Sequence, residues 1–302
     1  MDKYNPREWF SLIFSLQSDD TLKKTFPHLI GIAIFSFGIT YFQIDYLKLT
    51  KESQFSELKL MHNLLGLILS LLMVFRTNSA YDRWWEGRKL WGSLVNSSRN
   101  LAIKVSQFIP KDDIKNRKFF QNMIPNFAFS LVYHLRDQNI LVGEKKLQPD
   151  LQDIDSQVLD LQNKTLNLNP MFISKFIFER IDSLHRAGTI SGDKFLLLRE
   201  DLNSFVDILG GCDRIKTSPI PHSYSSFIKK FIFLYTSTIP VTHAVILSYW
   251  SIFVSVFCLY VIMSLELLAE EIEDPFGLDD NDLPTPEISN KIKTSVDEIF
   301  NY

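Results

Sequence analysis

The sequence predicts an all-α integral membrane protein with four membrane helices and a helical section outside the membrane. Three observations carry this reading. Phe231–Leu268 runs for 38 residues with a single formal charge, Glu266, enough for two spans of about 20 residues each, joined as a hairpin. Phe26–Phe42 and Leu60–Phe75 add apolar stretches of 17 and 16 residues. Elsewhere apolar residues recur every three or four positions, and neither strand-like alternation nor an internal repeat stands out.

Residues 1–25 read as a short arm. The opening MDKYNPREWF places charges before any apolar run and lacks a small-residue cleavage site, so it is not read as a cleavable signal peptide. The first span follows, then a polar external loop over about Gln43–Glu57. The second apolar stretch passes without a proline into RTNSAYDRWWEGRKLWGSLVNSSR, residues Arg76–Arg99, and the next proline is Pro110. One helix is therefore expected from about Leu58 to about Ile109, on the order of 75 Å long, with Gly66, Gly87 and Gly92 as its weak points. Trp84, Trp85 and Trp91 beside arginines suit a belt at the edge of a bilayer.

The expected division is 26–76 for the first two spans, 77–225 for the section outside the membrane, 226–268 for the last two spans and 269–302 for an acidic tail. Within 77–225, Phe119–Leu135 and Met171–Gly188 show helical recurrence, with a polar loop beginning at about Asp137–Asp150 between them. A third helix is expected over about Gly192–Ile208, stopped by Gly210–Gly211. The tail, with Pro275, Pro284 and Pro286, reads as extended. Lys23/Lys24 precede the first span, Arg76, Arg83, Arg88 and Lys89 follow the second, and Lys229/Lys230 precede the third. The positive-inside rule then places both termini and the middle section in the cytoplasm.

Average composition hides this division: 22% charged residues and a mean hydropathy of +0.01 resemble a soluble chain. A net charge of −3, with no basic stripe carrying interleaved aromatics, gives no sign of nucleic acid as a partner. Two cysteines, Cys212 and Cys258, imply no disulfide framework. The histidines lack zinc-hydrolase spacing, and no phosphate loop, nucleophile elbow or C-x-x-C occurs, so the chain does not read as an enzyme.

Four features rise above this background. Leu67, Leu71 and Phe75 share one helical face; they either pack against lipid and core or form apolar rings around the axis of a symmetric oligomer, where such rings gate ions by dewetting. Asp82, Arg83, Glu86 and Arg88 form a dense cluster, expected to be structural rather than conductive, in which Asp82 and Glu86 are like charges four apart and so are expected to pair with Arg83 or Arg88 in their own or a neighbouring subunit. Ile220 lies between Pro219 and Pro221, which fix its backbone; it is either held as a rigid constriction or simply precedes a helix that Pro221 opens. Asp279 and Asp282 lie in an acidic turn that could hold a hard cation such as Ca²⁺ or be a solvated linker.

The run R-T-N-x-A-Y-D-R-W-W-E-G-R-K-x-W-G-x-L-V-N, the P-I-P element before the third span and D-P-F-G-x-D-x-x-D after the fourth resemble the bestrophins, specifically their prokaryotic branch. The three elements occur in the right order and cover almost the whole chain. The resemblance implies a homopentamer around one axial pore, in a bacterial inner membrane, with membrane lipids and permeant monovalent ions as its other partners. It implies a pore neck at Leu67, Leu71 and Phe75, a cytoplasmic aperture at Ile220, and the position of a calcium clasp at Asp279 and Asp282 with backbone oxygens near Glu271 and Asp274. Leucine at 67 and 71 replaces the phenylalanine usual in animal members, and Leu278 and Asn281 interrupt the animal acidic run. Animal members conduct anions, whereas a similar bacterial relative passes monovalent cations. The reading is a passive channel for small monovalent ions, leaning to cations and requiring no cofactor. Its alternatives are an anion channel, a non-conducting membrane scaffold and a membrane enzyme.

Overall fold

The structure is a computed structural model and describes residues 21–49, 58–137 and 169–301. The arm before Thr21, residues 50–57 of the expected external loop and residues 138–168 of the polar loop lie outside the described residues. Every regular element described is helical: α1 (Thr21–Tyr41), which continues as a π-turn over Phe42–Tyr46, α2 (Leu58–Phe108), α3 (Ile114–Leu135), α4 (Pro170–Arg186), α5 (Gly192–Thr217), α6 (His222–Leu247), α7 (Trp250–Glu273) and α8 (Thr285–Asn301). Four segments are long and apolar enough to cross a membrane: Thr21–Tyr46, Leu58–Phe108, His222–Leu247 and Trp250–Glu273. The four-span reading and the long second helix both hold. α2 runs unbroken for 51 residues through Gly66, Gly87 and Gly92.

The chain forms two compact units. The first comprises Met1–Arg83, Pro219–Glu273 and Asp279–Asn281. Here α1 packs against α6 and α7, which pack on each other as the expected hairpin. The turn between them is only Ser248 and Tyr249, with Ser248 in the left-handed region at φ 53°. Ile32, Leu69, Met73, Ile228, Phe231, Ile232 and Leu259 make the core. Two polar contacts tie its helices together: Thr40 and Ser251 share a hydrogen bond of 2.9 Å, and Gln43 Nε2 donates to the Val241 carbonyl at 3.1 Å. Large apolar side chains also point outward, including Ile34, Leu67, Phe233 and Phe253. Helices apolar on several faces suit a lipid environment, in which the helix satisfies its own backbone.

The second unit comprises Trp84–Ser218, Asp274–Leu278 and Asp282–Tyr302. Its core joins Trp91, Leu94, Leu101 and Val105 of α2 to Phe127 and Leu131 of α3, Ile177 of α4 and Phe205 of α5. Asp113 caps α3 by accepting from Asn116 N–H at 3.2 Å. Asn169 caps α4, with Pro170 at its first position.

Two expectations for this unit are corrected. Gly210–Gly211 do not stop α5, which continues to Thr217. A β-carbon on Gly211 would sit 2.9 Å from Leu90, so that glycine serves the close approach of two helices. The tail is not extended throughout either. α8 places Ile288, Ile292 and Val296, each four apart, in the core with Phe300, and it packs along α3. That apolar periodicity outweighs the acidic, proline-containing approach to the helix.

Candidate functional site

α2 leaves its apolar stretch at Arg76, which is fully buried. A buried guanidinium needs anions and hydrogen-bond acceptors around it; α7 supplies two carboxylates, and of the Arg76 side-chain nitrogens only Nε has a hydrogen-bond acceptor among the described residues. Arg76 Nε lies 3.3 Å from Glu266 Oε1, and Nη1 lies 2.7 Å from Glu273 Oε2. Glu266 and Glu273 are seven residues apart, two helical turns, so they share one face of α7. The other oxygen of Glu273, Oε1, accepts the backbone N–H of Ile220 at 2.8 Å, and the Glu273 carbonyl accepts from Arg83 Nε at 3.0 Å. One carboxylate therefore joins the start of α6 to α2. Glu266 Oε2 is buried and has no hydrogen-bond partner among the described residues.

This Arg76–Glu266–Glu273 cluster is absent from the residues picked out by the sequence reading. A signal existed: Glu266 is the only formal charge in a 38-residue apolar run, and a charge at membrane depth implies a partner. Arg76, the first charge beyond the other long apolar stretch, is that partner.

The structure places Leu67, Leu71 and Phe75 on an outward face of α2, 71%, 57% and 56% exposed. Asn78 and Asp82, both exposed, continue the same face. Ile220 is half-buried, directly before Pro221, and α6 begins at His222.

The charge cluster is distributed differently from the expectation. Glu86 pairs with Arg214 of α5, not with Arg83 or Arg88. Arg83 donates to the Glu273 carbonyl, and Arg88 is exposed. The Glu86–Arg214 side chains are 39% and 67% exposed, so their pairing is a surface contact worth about 0–1 kcal/mol. Cys212, buried in the second unit, differs. Burial pushes its thiol up to about 12, and the Asp213 and Glu86 carboxylates add to the effect.

In the acidic turn Asp279 is exposed and Asp282 is buried. The Oδ2 atoms of Asp282 and Asp274 lie 2.8 and 3.6 Å from where a β-carbon on Gly277 would stand, so both carboxylates flank that glycine. The Pro275 carbonyl already accepts from Leu283 N–H at 2.9 Å. Among the described residues no group of three or more His, Cys, Asp or Glu side chains is gathered to hold a metal ion. Calcium takes six to eight oxygens, so the carboxylates at this turn alone would not complete its shell.

Four apolar helices and a buried ion cluster define an integral membrane protein. Residues 2–298 match the family described as bacterial/fungal bestrophin protein, and the chain belongs to that family. It is 31% identical over 296 residues to a voltage-dependent anion channel-forming protein of Nostoc sp. (strain PCC 7120), covering 97% of this chain and 92% of the relative. It is 34% identical over 231 residues to the voltage-dependent anion channel-forming protein YneE of Escherichia coli (strain K12), covering 76% and 73%. A crystal structure of a point mutant of a bacterial bestrophin homolog from Klebsiella pneumoniae matches with a TM-score of 0.78 at 26% identity, covering 92% of this chain and all of the other.

Proposed function

We propose that this chain is one subunit of a homopentameric ion channel that passes small monovalent ions passively across a bacterial inner membrane, with both termini in the cytoplasm. The observation that carries the reading is the outward stripe Leu67, Leu71 and Phe75 on a helix long enough to cross the bilayer and continue beyond it. Around a fivefold axis the stripe would form stacked apolar rings, a barrier that conducts only when wetted. Family membership and the names of the curated relatives support ion conduction. Ile220 of each subunit supplies a second constriction, and passive flow calls on no cofactor.

The leaning to cations rests on Asp82, the first charged residue beyond Phe75 on the exposed face. Five such carboxylates at the pore mouth would concentrate cations. The printed names of the relatives favour the second reading, an anion channel. Flux of Na⁺ and of Cl⁻ from liposomes reconstituted with the purified protein decides between them. Na⁺ flux that Asp82→Asn weakens supports the cation reading, Cl⁻ flux supports the second, and silence to both ions leaves a non-conducting scaffold.

A further inference from the structure

α1, α6 and α7 line an open groove of about 650 Å³ in the first unit, within the range of sites that hold small molecules. Its apolar walls include Phe35, Ile232, Phe233, Leu259 and Met263. Its charges lie at one end. Lys229 stands near the start of α6, and Glu266 and Glu270 stand near the end of α7, the antiparallel arm of the same hairpin. Lys229 Nζ and Glu270 Oε1 are 2.5 Å apart with side chains 52% and 35% exposed, so both heads can turn to another partner. Glu266 is 2% exposed and keeps one oxygen without a hydrogen-bond donor among the described residues. None of Leu67, Leu71 and Phe75 lines this space.

All three helices are apolar enough to lie in a membrane, so the medium around the groove is lipid. An occupant with an apolar chain matches the walls. Moving such a chain from bilayer to groove exchanges one apolar medium for another and yields little by itself. Selection must come from the head, where the groove presents one cation and two carboxylates, one of them with an unused buried oxygen. The complementary head carries a phosphate for Lys229 and a cation rich in N–H donors for Glu266 and Glu270.

We propose that the groove is a binding site for phosphatidylethanolamine, with an acyl chain along the apolar walls, the phosphate on Lys229 and the primary ammonium on Glu266 and Glu270. A choline head has the same charges but no N–H to donate, and a glycerol head adds net negative charge beside two carboxylates. The site thus discriminates by hydrogen bonding against the first and by charge against the second.

Gly31 provides the test. It lines the groove, and nothing lies within 4 Å of where its β-carbon would stand. Gly31→Leu therefore extends a side chain into the acyl space without a clash and favours the helix. Native mass spectrometry of the full-length protein in detergent, titrated separately with dioleoyl phosphatidylethanolamine, phosphatidylcholine and phosphatidylglycerol, reads the affinities. Phosphatidylethanolamine should bind about tenfold more tightly than either of the others. Gly31→Leu should lose that binding with its melting temperature retained, and Glu270→Gln should reduce the preference over phosphatidylcholine. Equal affinity for the three lipids overturns the proposal, as does wild-type binding by Gly31→Leu. Dissociation of the assembled protein by Gly31→Leu also overturns it, because a second copy of the chain would then be the occupant. Na⁺ flux from the same preparations keeps this outcome separate from that of the channel reading.

Discussion

Glu273 grips Arg76 with one carboxylate oxygen, at 2.7 Å, and the backbone N–H of Ile220 with the other, at 2.8 Å. The residue named as a cytoplasmic aperture is thereby anchored to the point where α2 leaves its apolar stretch. Two neighbouring prolines restrict the backbone of Ile220 locally, and Glu273 adds a tertiary restraint that no local rule supplies.

Arg76→Ala leaves Glu266 and Glu273 facing each other without their shared cation. Removing one member of a buried charge cluster costs about 3–5 kcal/mol, so the melting temperature of the purified protein should fall sharply. Glu273→Ala should also loosen Ile220 and admit larger cations than wild type does. Ile220→Ala should have the same effect on permeation at less cost to stability than the about 2–5 kcal/mol of a core truncation, because Ile220 is only half-buried. A change in size cutoff with Ile220→Ala but none with Glu273→Ala separates the aperture from its anchor.

The stripe of Leu67, Leu71 and Phe75 makes a different prediction, because these side chains stand outward and contribute little to the core of the chain. Replacing all three by Ala should raise single-channel conductance several-fold by lowering the dewetting barrier, with a normal melting temperature. Unchanged conductance in an intact assembly would make the stripe a lipid-facing or subunit-packing surface.

The spans and the long second helix were legible because they depend on length and local composition alone. What sequence reading missed depends on contacts far along the chain. Arg76 meets Glu266 across 190 residues and Glu86 meets Arg214 across 128, and a run of charges does not announce distant partners. Gly211 carried a local stop signal, whereas its role is steric clearance for Leu90. The four-residue spacing of Ile288, Ile292 and Val296 was readable, but the acidic and proline-containing residues before it dominated the reading of the whole tail. For the proposed pore residues, the sequence indicated a shared face, and the structure adds that this face is uncovered in the single chain.

Cys212 allows a test of the second unit by pH. Burial pushes its thiol up to about 12 in the folded protein, against about 8.5 in an unfolded chain. Below the lower value both states hold the proton, and the contribution of the buried neutral thiol is fully present. As pH rises above it, the unfolded state releases the proton and the folded state does not, so stability is lost, approaching about 1.4 kcal/mol per pH unit. The stability advantage of wild type over Cys212→Ala should therefore shrink between pH 8 and pH 10. Iodoacetamide at pH 8, followed by peptide mapping, should leave Cys212 unmodified until the protein unfolds. Rapid alkylation of the folded protein at that pH would contradict the assigned burial.

The acidic turn carries the last prediction. A resident calcium should tie the turn down and stabilise the folded state by mass action, and the resemblance to animal relatives points to Asp279 and Asp282. In the structure Asp282 is buried beside Gly277, while Asp279 is exposed. The turn closes on a backbone hydrogen bond from Leu283 to Pro275 that needs no metal. Millimolar Ca²⁺ should therefore shift the melting temperature no more than Mg²⁺ does, in wild type and in Asp279→Asn/Asp282→Asn alike. Chelation should leave the wild-type transition where it was. A Ca²⁺-specific rise in wild type, absent from the double variant, would instead establish a calcium clasp in this chain and require the turn to rearrange around the ion.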